Sequence, residues 1–335
     1  MFMVKRVTIT DIAKAAKISP TTVSLILNGK GERFSQETCE RVFYLRDRLG
    51  YRIEKQVSSP KHKQLKRIGV VIPNFNQSFY NQVITGIQKS AGPNVLITIY
   101  EGANFSEEMQ SGLRWIFEES LDGLILCGPF IDVETLYGWA ETEGLPIVIV
   151  NSQSSVDDSD VWIDLHRAGQ LAAEYLLDNG HRDIAVVVPE NYTATNEVLL
   201  SGFKEGMQEY HEELAEADIY PIVPTLQAGY ELAKKVVLNK YTAVFAGGDE
   251  MAIGIMRGLV ANGRHLPADQ SVLGFGNSEL GDYTTPQLSS IDIPSSDIGR
   301  AAFDKLEELS KNNSASRENL LLPIGINKRF SVKHI

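Results

Sequence analysis

A short segment near the N-terminus combines an apolar helical stripe with a row of small polar side chains. Val23, Ile26 and Leu27 have the i, i+3, i+4 spacing of one helix face, so this face is expected to pack inward. The residues left on the outer face are Thr21, Thr22, Ser24, Leu25 and Asn28. Small hydroxyl and amide groups can approach base edges and phosphates closely, and a helix N-terminus attracts a phosphate. The segment therefore predicts contact with DNA, although an ordinary capped helix with a polar outer face would have the same residues.

The residues around this segment predict three short helices. Ser19 is suited to cap the segment, and Pro20 suits its first helical position, where a missing N–H costs nothing. A first helix is expected to be capped by Thr10, and Lys17–Ile18 would turn the chain between the two. A third helix is expected to start near Ser35 and to place three apolar side chains inward: Val42, Leu45 and Leu49. This order of elements is typical of a helix-turn-helix.

Charge is distributed unevenly along the chain. The net charge is −11, but residues 1–67 contain 15 Lys and Arg against 6 Asp and Glu, a net charge of +9, whereas the remainder carries −20. A basic head on an acidic body is expected of a chain whose head meets a polyphosphate. A solvated basic surface without a partner would give the same count, so charge alone leaves both interpretations open.

From residue 68 onward, short apolar runs alternate with helical stretches. Eight runs have the length and composition of buried strands: Ile68–Pro73, Val95–Tyr100, Gly123–Cys127, Pro146–Val150, Ile184–Val188, Ile219–Ile222, Ala243–Ala246 and Val272–Phe275. Such alternation predicts an α/β fold with parallel sheets covered by helices on both faces. Eight units over about 230 residues are more than one open sheet usually holds, so two similar subdomains are expected. Residues 51–67 are polar and basic, contain Pro60, and are typical of a linker.

The sequence lacks the motifs of common catalytic and cofactor sites. It contains no P-loop, no His/Cys metal spacing and no Gly-x-Ser-x-Gly, and Gly274–Asn277 is only the first part of a dinucleotide-binding fingerprint. We therefore expect no enzymatic activity, no cofactor and no metal. Cys39 and Cys127 fall in different predicted elements and are expected to be reduced thiols. No apolar run has the length of a signal segment or of a membrane span of ~20 residues, so a cytoplasmic location is expected.

The head and the body both resemble the lac/gal repressor (LacI/GalR) family of transcriptional regulators. In the head, the resemblance rests on Val7–Ala13, Ile18–Ser24, Leu27–Gly29, Ser35–Thr38 and Leu49–Tyr51. In the body, it rests on Ile68–Pro73, Asp122–Leu126, Asn179–Ala185, Gly248–Gly254, Ser271–Phe275 and Arg329–Ser331. It covers essentially the whole chain.

This resemblance implies a fold and a division into domains. The fold would be an N-terminal all-α helix-turn-helix head joined to an α/β body of the type I periplasmic-binding-protein-like fold, with two parallel-sheet subdomains. The implied boundaries are a head at 1–52, a hinge or linker at 53–67, an effector-binding and dimerisation body at 68–335, an N-subdomain at about 68–163 and 294–320, and a C-subdomain at about 164–293 and 321–335.

The resemblance also implies an activity and its partners. A homodimer would bind a pseudo-palindromic, double-stranded DNA operator and repress carbohydrate-utilisation genes. A small-molecule effector, a sugar or a sugar derivative, would bind between the two subdomains and change the DNA affinity. His181 would belong to a structural turn and not to a catalytic or metal site. The residues implied in DNA contact are Thr8, Ile9, Ser19, Pro20, Thr21, Thr22, Ser24, Leu25, Asn28, Arg33 and Ser35.

Two residues of the head and linker depart from the family pattern. Leu25 stands where the family usually has an arginine. A leucine cannot form a bidentate contact with guanine but can pack on a thymine methyl, so a different operator is expected. Pro60 stands where the hinge helix of the family carries its wedging leucine, and a proline inside a helix costs about 3 kcal/mol. The usual hinge helix is therefore expected to be absent or altered.

The predicted effector cleft departs from the family pattern at more positions than the head and the linker do. Four positions that hold sugar ligands in the family are occupied here by Leu199, Pro224, Gly248 and Gly276. Matching or similar effector positions remain at Asn74, Phe79, Asn151, Trp162, Asp249 and Asn277. Because a sugar needs a ring of charged or amide partners and an aromatic platform, either the ligand is smaller or more apolar, or the cleft is degenerate and a protein partner controls the regulator. The alternative to a regulator is a secreted solute-binding protein. The predicted fold of the body is compatible with that function, but the predicted helix-turn-helix head argues against it.

Overall fold

The computed structural model describes residues 8–27, 33–49, 65–75, 77–102, 114–117, 119–128, 133–150, 160–190, 193–235, 240–311 and 319–335. The chain divides into two compact units, Met1–His62 and Lys63–Ile335, which we call the head and the body. The predicted linker at 53–67 lies outside the described residues except for its last three positions, so the expectation for Pro60 does too.

The described part of the head contains three helices: α1 (Ile9–Ala16), α2 (Pro20–Leu27) and α3 (Gln36–Leu49). Their shared core consists of Ile12, Ala13, Ala16, Val23, Ile26 and Val42. Thr8, and not Thr10, caps α1, because the carboxylate of Asp11 accepts a hydrogen bond from Thr8 N at 2.8 Å and so closes a capping box. Lys17 ends α1 in the left-handed conformation, with φ at 54°, and this turn directs the chain into α2.

The body begins with the elements of one lobe and continues into a second. In chain order they are β1 (Lys66–Ile72), α4 (Ser78–Ala91), β2 (Val95–Glu101), β3 (Gly123–Cys127), α5 (Val133–Glu143), β4 (Ile147–Val150), β5 (Val161–Ile163), α6 (Leu165–Asp178), β6 (Ile184–Pro189), α7 (Thr193–Gln208), β7 (Ile219–Ile222), α8 (Leu226–Lys234), β8 (Ala243–Ala246), α9 (Asp249–Ala261), β9 (Ser271–Phe275), β10 (Ser289–Asp292), α10 (Ser295–Lys311), β11 (Leu320–Leu322) and β12 (Gly325–Asn327). Short 3₁₀ turns lie at Glu216–Asp218 and Glu279–Tyr283.

Each lobe is built on a sheet of six strands. The N lobe has the order β11-β5-β4-β3-β1-β2 with every pairing parallel, and the C lobe has the order β12-β10-β9-β8-β6-β7 with only β12 antiparallel to its neighbour. The chain passes between the lobes three times: after β5, after β10 and after β11. The two parallel-sheet subdomains predicted from the sequence are thus confirmed.

Eight predicted strands are present, and four further strands were not predicted. The four are β5, β10, β11 and β12, each of three or four residues. β10 contains two serines that are fully buried, Ser289 and Ser290, so it lacks the apolar character of a sequence-predicted strand. Their burial is possible because Ser289 Oγ accepts from Arg329 N at 2.9 Å and Ser290 Oγ donates to Asp249 Oδ1 at 2.7 Å.

Three helix pairs of the body cross at glycines. A Cβ added to Gly202 on α7 would lie 1.9 Å from the carbonyl oxygen of His166, and one added to Gly169 on α6 would lie 2.1 Å from that of Leu199. The same reciprocal contact occurs between α4 and α10 and between α8 and α9, through Gly86 with Gly299 and Gly229 with Gly254. Because backbone meets backbone at these crossings, no side chain larger than hydrogen fits without moving a helix.

His181 is a structural residue of the C lobe. It is fully buried, with Nε2 3.1 Å from the carbonyl oxygen of Lys333 and Nδ1 3.0 Å from Thr242 Oγ1. A neutral ring that donates from Nε2 and accepts at Nδ1 satisfies both contacts. The imidazole thereby ties the turn after α6 to the C-terminal segment.

We expect His181 to make the stability of the body pH-dependent. Burial lowers the pKa of His181 below its ordinary value. The unfolded chain then binds the proton more readily than the folded one, so the free energy of unfolding should fall as the pH drops below about 6.5. Thermal melts at pH 7.5 and 5.5 should show this loss, and His181→Gln should show less of it. Equal losses in His181→Gln, in wild type and in the exposed control His211→Gln would contradict the assignment.

Both cysteines are free thiols, as expected. Cys39 is partly buried on α3, and Cys127 is fully buried at the end of β3. Burial raises the pKa of the Cys127 thiol to about 12, so it stays protonated at neutral pH.

Candidate DNA-binding helix and interlobe cleft

The second helix of the head begins as the sequence predicts. Ser19 Oγ accepts a hydrogen bond from Thr22 N at 3.0 Å and lies 2.8 Å from Thr22 Oγ1, so Ser19 is the N-cap and Pro20 the first helical residue. Val23 and Ile26 are buried in the head core. The inward stripe of α2 is therefore confirmed for these two residues, and Leu27 is only partly buried.

The residues predicted to contact DNA differ in exposure. Thr8, Ser19, Pro20, Thr21, Arg33 and Ser35 are exposed, and Ile9, Thr22, Ser24 and Leu25 are half-buried. Asn28 lies outside the described residues. Ile9 also packs against the head core, and Ser35 has a structural role, because its hydroxyl accepts from Thr38 N at 3.3 Å at the start of α3. Of the four described residues on the outer face of α2, Thr21 is exposed, whereas Thr22, Ser24 and Leu25 are half-buried.

A cleft of about 1060 Å³, open to solvent, lies between the two lobes of the body. The N lobe contributes the start of α4, and the C lobe contributes the starts of α7 and α9 together with the loop after β9. The walls are mainly apolar. The residues that line the cleft are Gln77, Ser78, Phe79, Tyr80, Gly128, Ile163, Leu165, Pro189, Asn196, Leu199, Pro224, Gly247, Gly248, Asp249, Glu250, Met251, Phe275, Gly276 and Ser278.

The four positions at which the sequence departs from sugar-binding relatives all reach this cleft. Leu199, Pro224, Gly248 and Gly276 are part of its wall. At these four positions the cleft surface is formed by apolar side chains or by glycine backbone.

The six predicted effector residues do not come together as one set. Phe79 and Asp249 line the cleft, whereas Asn74, Trp162 and Asn277 are not among its lining residues. Asn151 lies outside the described residues. Trp162 is the middle residue of β5, and its neighbour Ile163 reaches the cleft instead, because successive side chains of a strand point to opposite faces.

Asn277 is engaged within the C lobe. Its Nδ2 donates to Asp292 Oδ1 at 2.8 Å, and its Oδ1 accepts from Arg329 at 2.9 Å and from Asn327 Nδ2 at 3.1 Å. Its backbone has φ at 51°, in the left-handed region that asparagine tolerates. The structure therefore does not bring Asn277 to the cleft wall, and its amide links the turn after β9 to Asp292, Asn327 and Arg329.

Asp249 lines the cleft but is held by the C lobe. Oδ2 accepts from Ser278 N at 2.5 Å and Oδ1 accepts from Ser290 Oγ at 2.7 Å, while the residue is 2% exposed. Burial raises the pKa of Asp249, and the hydrogen bonds from Ser290 and Ser278 oppose that rise. A Cβ at Gly274 would lie 2.2 Å from Asp249 Oδ1, so this carboxylate requires a glycine in β9.

One pair of residues that the sequence did not single out bridges the cleft. Glu250, in the first turn of α9, accepts from Ser78 N at 2.8 Å and also from Ser78 Oγ. Ser78 is the first residue of α4, and Gln77 before it gives no side-chain cap. The Glu250 carboxylate thus takes the place of a capping group for a helix of the other lobe, which favours an anion at that end. Only the folded arrangement of two distant segments reveals this pair.

In the part of the chain that the structure describes, no three His, Cys, Asp or Glu side chains are placed to hold a metal ion. No described helix is both long enough and apolar enough to cross a bilayer.

A helix-turn-helix head and a two-lobed α/β body of this topology define a DNA-binding transcriptional regulator with a periplasmic-binding-protein-like body. Residues 8–53 match the model of "Bacterial regulatory proteins, lacI family", and residues 173–332 match the "Periplasmic binding protein-like domain". The chain thus carries a lacI-family DNA-binding domain and a periplasmic-binding-protein-like domain, and it is a DNA-binding transcriptional repressor. The relatives that it matches are transcriptional regulators and not enzymes.

Individual relatives agree with this assignment. The HTH-type transcriptional repressor PurR of Klebsiella pneumoniae (strain 342) is 28% identical over 331 residues, which cover 97% of this chain and 96% of PurR. A LacI family regulator from Enterococcus faecium, solved with bound ribose, superposes with a TM-score of 0.72 at 27% identity over 81% of this chain and all of that one. The lac repressor dimer bound to operator superposes with a TM-score of 0.70 at 23% identity over 98% of this chain and all of that one, and so shows the shared fold.

Proposed function

We propose that the protein binds a pseudo-palindromic operator as a homodimer and that closure of the interlobe cleft, controlled by a small molecule, sets its DNA affinity. The proposal keeps the head at 1–52, the linker at 53–67 and the body at 68–335. The lac repressor, of the same fold, is a dimer on its operator, and the Enterococcus faecium regulator holds ribose. By the same family resemblance, the regulated genes would serve carbohydrate use.

The basic head supports operator binding. The head together with the linker, residues 1–67, carries a net charge of +9, and α2 buries Val23 and Ile26 while Thr21 is exposed. Positive charge supplies affinity for phosphates, and an exposed helix face supplies base contacts. A gel shift with the DNA upstream of the protein's own gene should show a sequence-specific complex that weakens as salt is raised. A complex that unrelated DNA displaces equally well would contradict operator recognition.

The bridge between Ser78 and Glu250 is the observation that carries the regulatory part. It joins the N-terminus of α4 to the first turn of α9, so it can exist only while the two lobes are close. A ligand that enters the cleft must coexist with this bridge or displace it, and either effect changes the balance between closed and open bodies. An equilibrium between closed and open bodies lets a ligand in the cleft change the DNA affinity of the head.

We expect Ser78→Pro to open the body and change operator affinity by at least about fivefold, the lower end of usual allosteric couplings. Proline removes both donors of the bridge, yet it is favoured at the first position of a helix. Leu226→Pro is the matched control, since it changes the first residue of α8 without touching the bridge. Small-angle scattering should show a larger radius of gyration for Ser78→Pro and for Glu250→Ala than for the control. Scattering and operator affinity equal to those of Leu226→Pro would contradict the proposal, and the direction of an affinity change would distinguish induction from co-repression.

A further inference from the structure

The interlobe cleft has apolar walls on both sides. Phe79 and Ile163 of the N lobe line it, and so do Leu199, Pro224 and Phe275 of the C lobe. The ring of Phe79 meets that of Tyr80 edge to face at a centroid distance of 5.1 Å, so two aromatic rings stand at the same wall. A ligand that buries apolar surface against these side chains gains binding free energy.

Several polar groups on the walls are satisfied by the protein itself, whereas the buried hydroxyl of Ser278 has no hydrogen-bond partner among the described residues. Both oxygens of Asp249 accept hydrogen bonds from the C lobe, and Glu250 accepts from Ser78 across the cleft. Asn196 is 8% exposed and donates through Nδ2 to the carbonyl oxygen of Pro189. Among the described residues, none donates to Asn196 Oδ1, which leaves this oxygen as an acceptor for a ligand.

This distribution disfavours both sugars and anions. A sugar hydroxyl that loses water without gaining a partner weakens binding by about tenfold or more. No lysine or arginine is among the described lining residues, and the carboxylates of Asp249 and Glu250 stand on the wall, so a phosphate or carboxylate would meet like charge. The side chains of the cleft wall therefore complement neither a sugar nor an anion.

We propose that the cleft binds a compact, uncharged and largely apolar ring compound that donates one hydrogen bond to Asn196 Oδ1. This inference rests on the proposed function, in which a ligand in the cleft controls DNA binding. The apolar ring would contact the aromatic and aliphatic walls, and the single donor would fix its orientation.

Calorimetry on the full-length protein tests this inference with four probes: indole, benzofuran, D-ribose and ribose 5-phosphate. Indole has an N–H donor, and benzofuran has nearly the same shape without it. We expect indole to bind, benzofuran to bind at least about tenfold more weakly, and the two sugars to give no binding heat. Binding of either sugar more tightly than indole, equal affinities for indole and benzofuran, or no binding of indole up to its solubility limit would each overturn the inference.

A variant pair adds a second measurement. Asn196→Ala should reduce the affinity for indole to that for benzofuran, while Asn81→Ala should leave the ratio unchanged. Asn81 is the matched control because it also donates to a backbone carbonyl, that of Phe75 at 3.1 Å, but does not line the cleft. An unchanged ratio in folded Asn196→Ala contradicts the role of Asn196, and the wild-type comparison of probes decides the matter if that variant does not fold. A gel shift without any ligand tests operator binding separately, so failure of that function and failure of this inference are distinguishable.

Discussion

Gly202→Ala is expected to lower the free energy of unfolding of the body by about 2 kcal/mol. The new Cβ would lie 1.9 Å from the carbonyl oxygen of His166 and 2.7 Å from its carbonyl carbon. Overpacking of this kind typically costs about 1–3 kcal/mol, and more where the obstacle is rigid backbone. Alanine gains about 1 kcal/mol of helix propensity over glycine, which offsets only part of that cost. The steric effect therefore exceeds the propensity effect.

Gly138→Ala is the matched control, and it should raise the free energy of unfolding where Gly202→Ala lowers it. Gly138 lies inside α5, and among the described residues no atom beyond its chain neighbours and the nearby backbone of α5 lies within 4 Å of an added Cβ. We expect this variant to raise the free energy of unfolding by about 0.5–1 kcal/mol, the propensity gain alone. Urea unfolding of both variants measures the two values. If Gly202→Ala were as stable as Gly138→Ala, the close crossing of α6 and α7 would not exist in solution.

The crossing at Gly202 also positions the cleft. α7 carries Asn196 and Leu199 in the cleft wall, and the carbonyl oxygen of Leu199 lies against Gly169 of α6. A bulkier residue at the crossing would push α7 away from α6. The stability of this helix pair and the shape of the ligand site are therefore set by the same backbone contact.

Leu25→Arg is expected to change which operator the protein prefers. Leu25 is half-buried on α2 and offers a thymine methyl an apolar contact, whereas arginine forms a bidentate pair with guanine. One such pair discriminates between bases by about 1–3 kcal/mol, or roughly 5- to 150-fold in affinity. Selection from a random DNA pool should therefore recover a guanine at one position of each half-site for the variant, and a different base there for the wild type.

Ala15→Arg separates base reading from added charge. Ala15 is exposed on α1, so the variant gains the same charge on the same head. It should bind all DNA somewhat more tightly, with a steeper salt dependence and an unchanged preferred sequence. If Leu25→Arg selected the same operator as the wild type and Ala15→Arg, residue 25 would not face a base.

The sequence by itself determined the elements that depend on local patterns. The cap at Ser19 and the buried stripe of Val23 and Ile26 follow from side-chain chemistry within a few residues. The eight predicted strands follow from short apolar runs; six of these strands are mostly buried, whereas the edge strands β2 and β7 are only partly buried. The first cap was placed two residues late, at Thr10, because Thr8 and Thr10 are both good caps and only the hydrogen bond from Thr8 to Asp11 distinguishes them. Four strands, β5, β10, β11 and β12, were not predicted. In β10 the two buried serines remove the apolar signal of a strand.

Tertiary structure alone decided the site in the body. The bridge from Ser78 to Glu250 joins residues 172 positions apart, and the amide of Asn277 is hydrogen-bonded to partners up to 52 positions away. The glycine crossings likewise depend on which helices become neighbours. A local sequence pattern shows which side chains are polar or apolar. Whether a polar side chain meets a partner or a ligand depends on how the chain passes three times between the lobes. No short-range sequence pattern predicts these three passages.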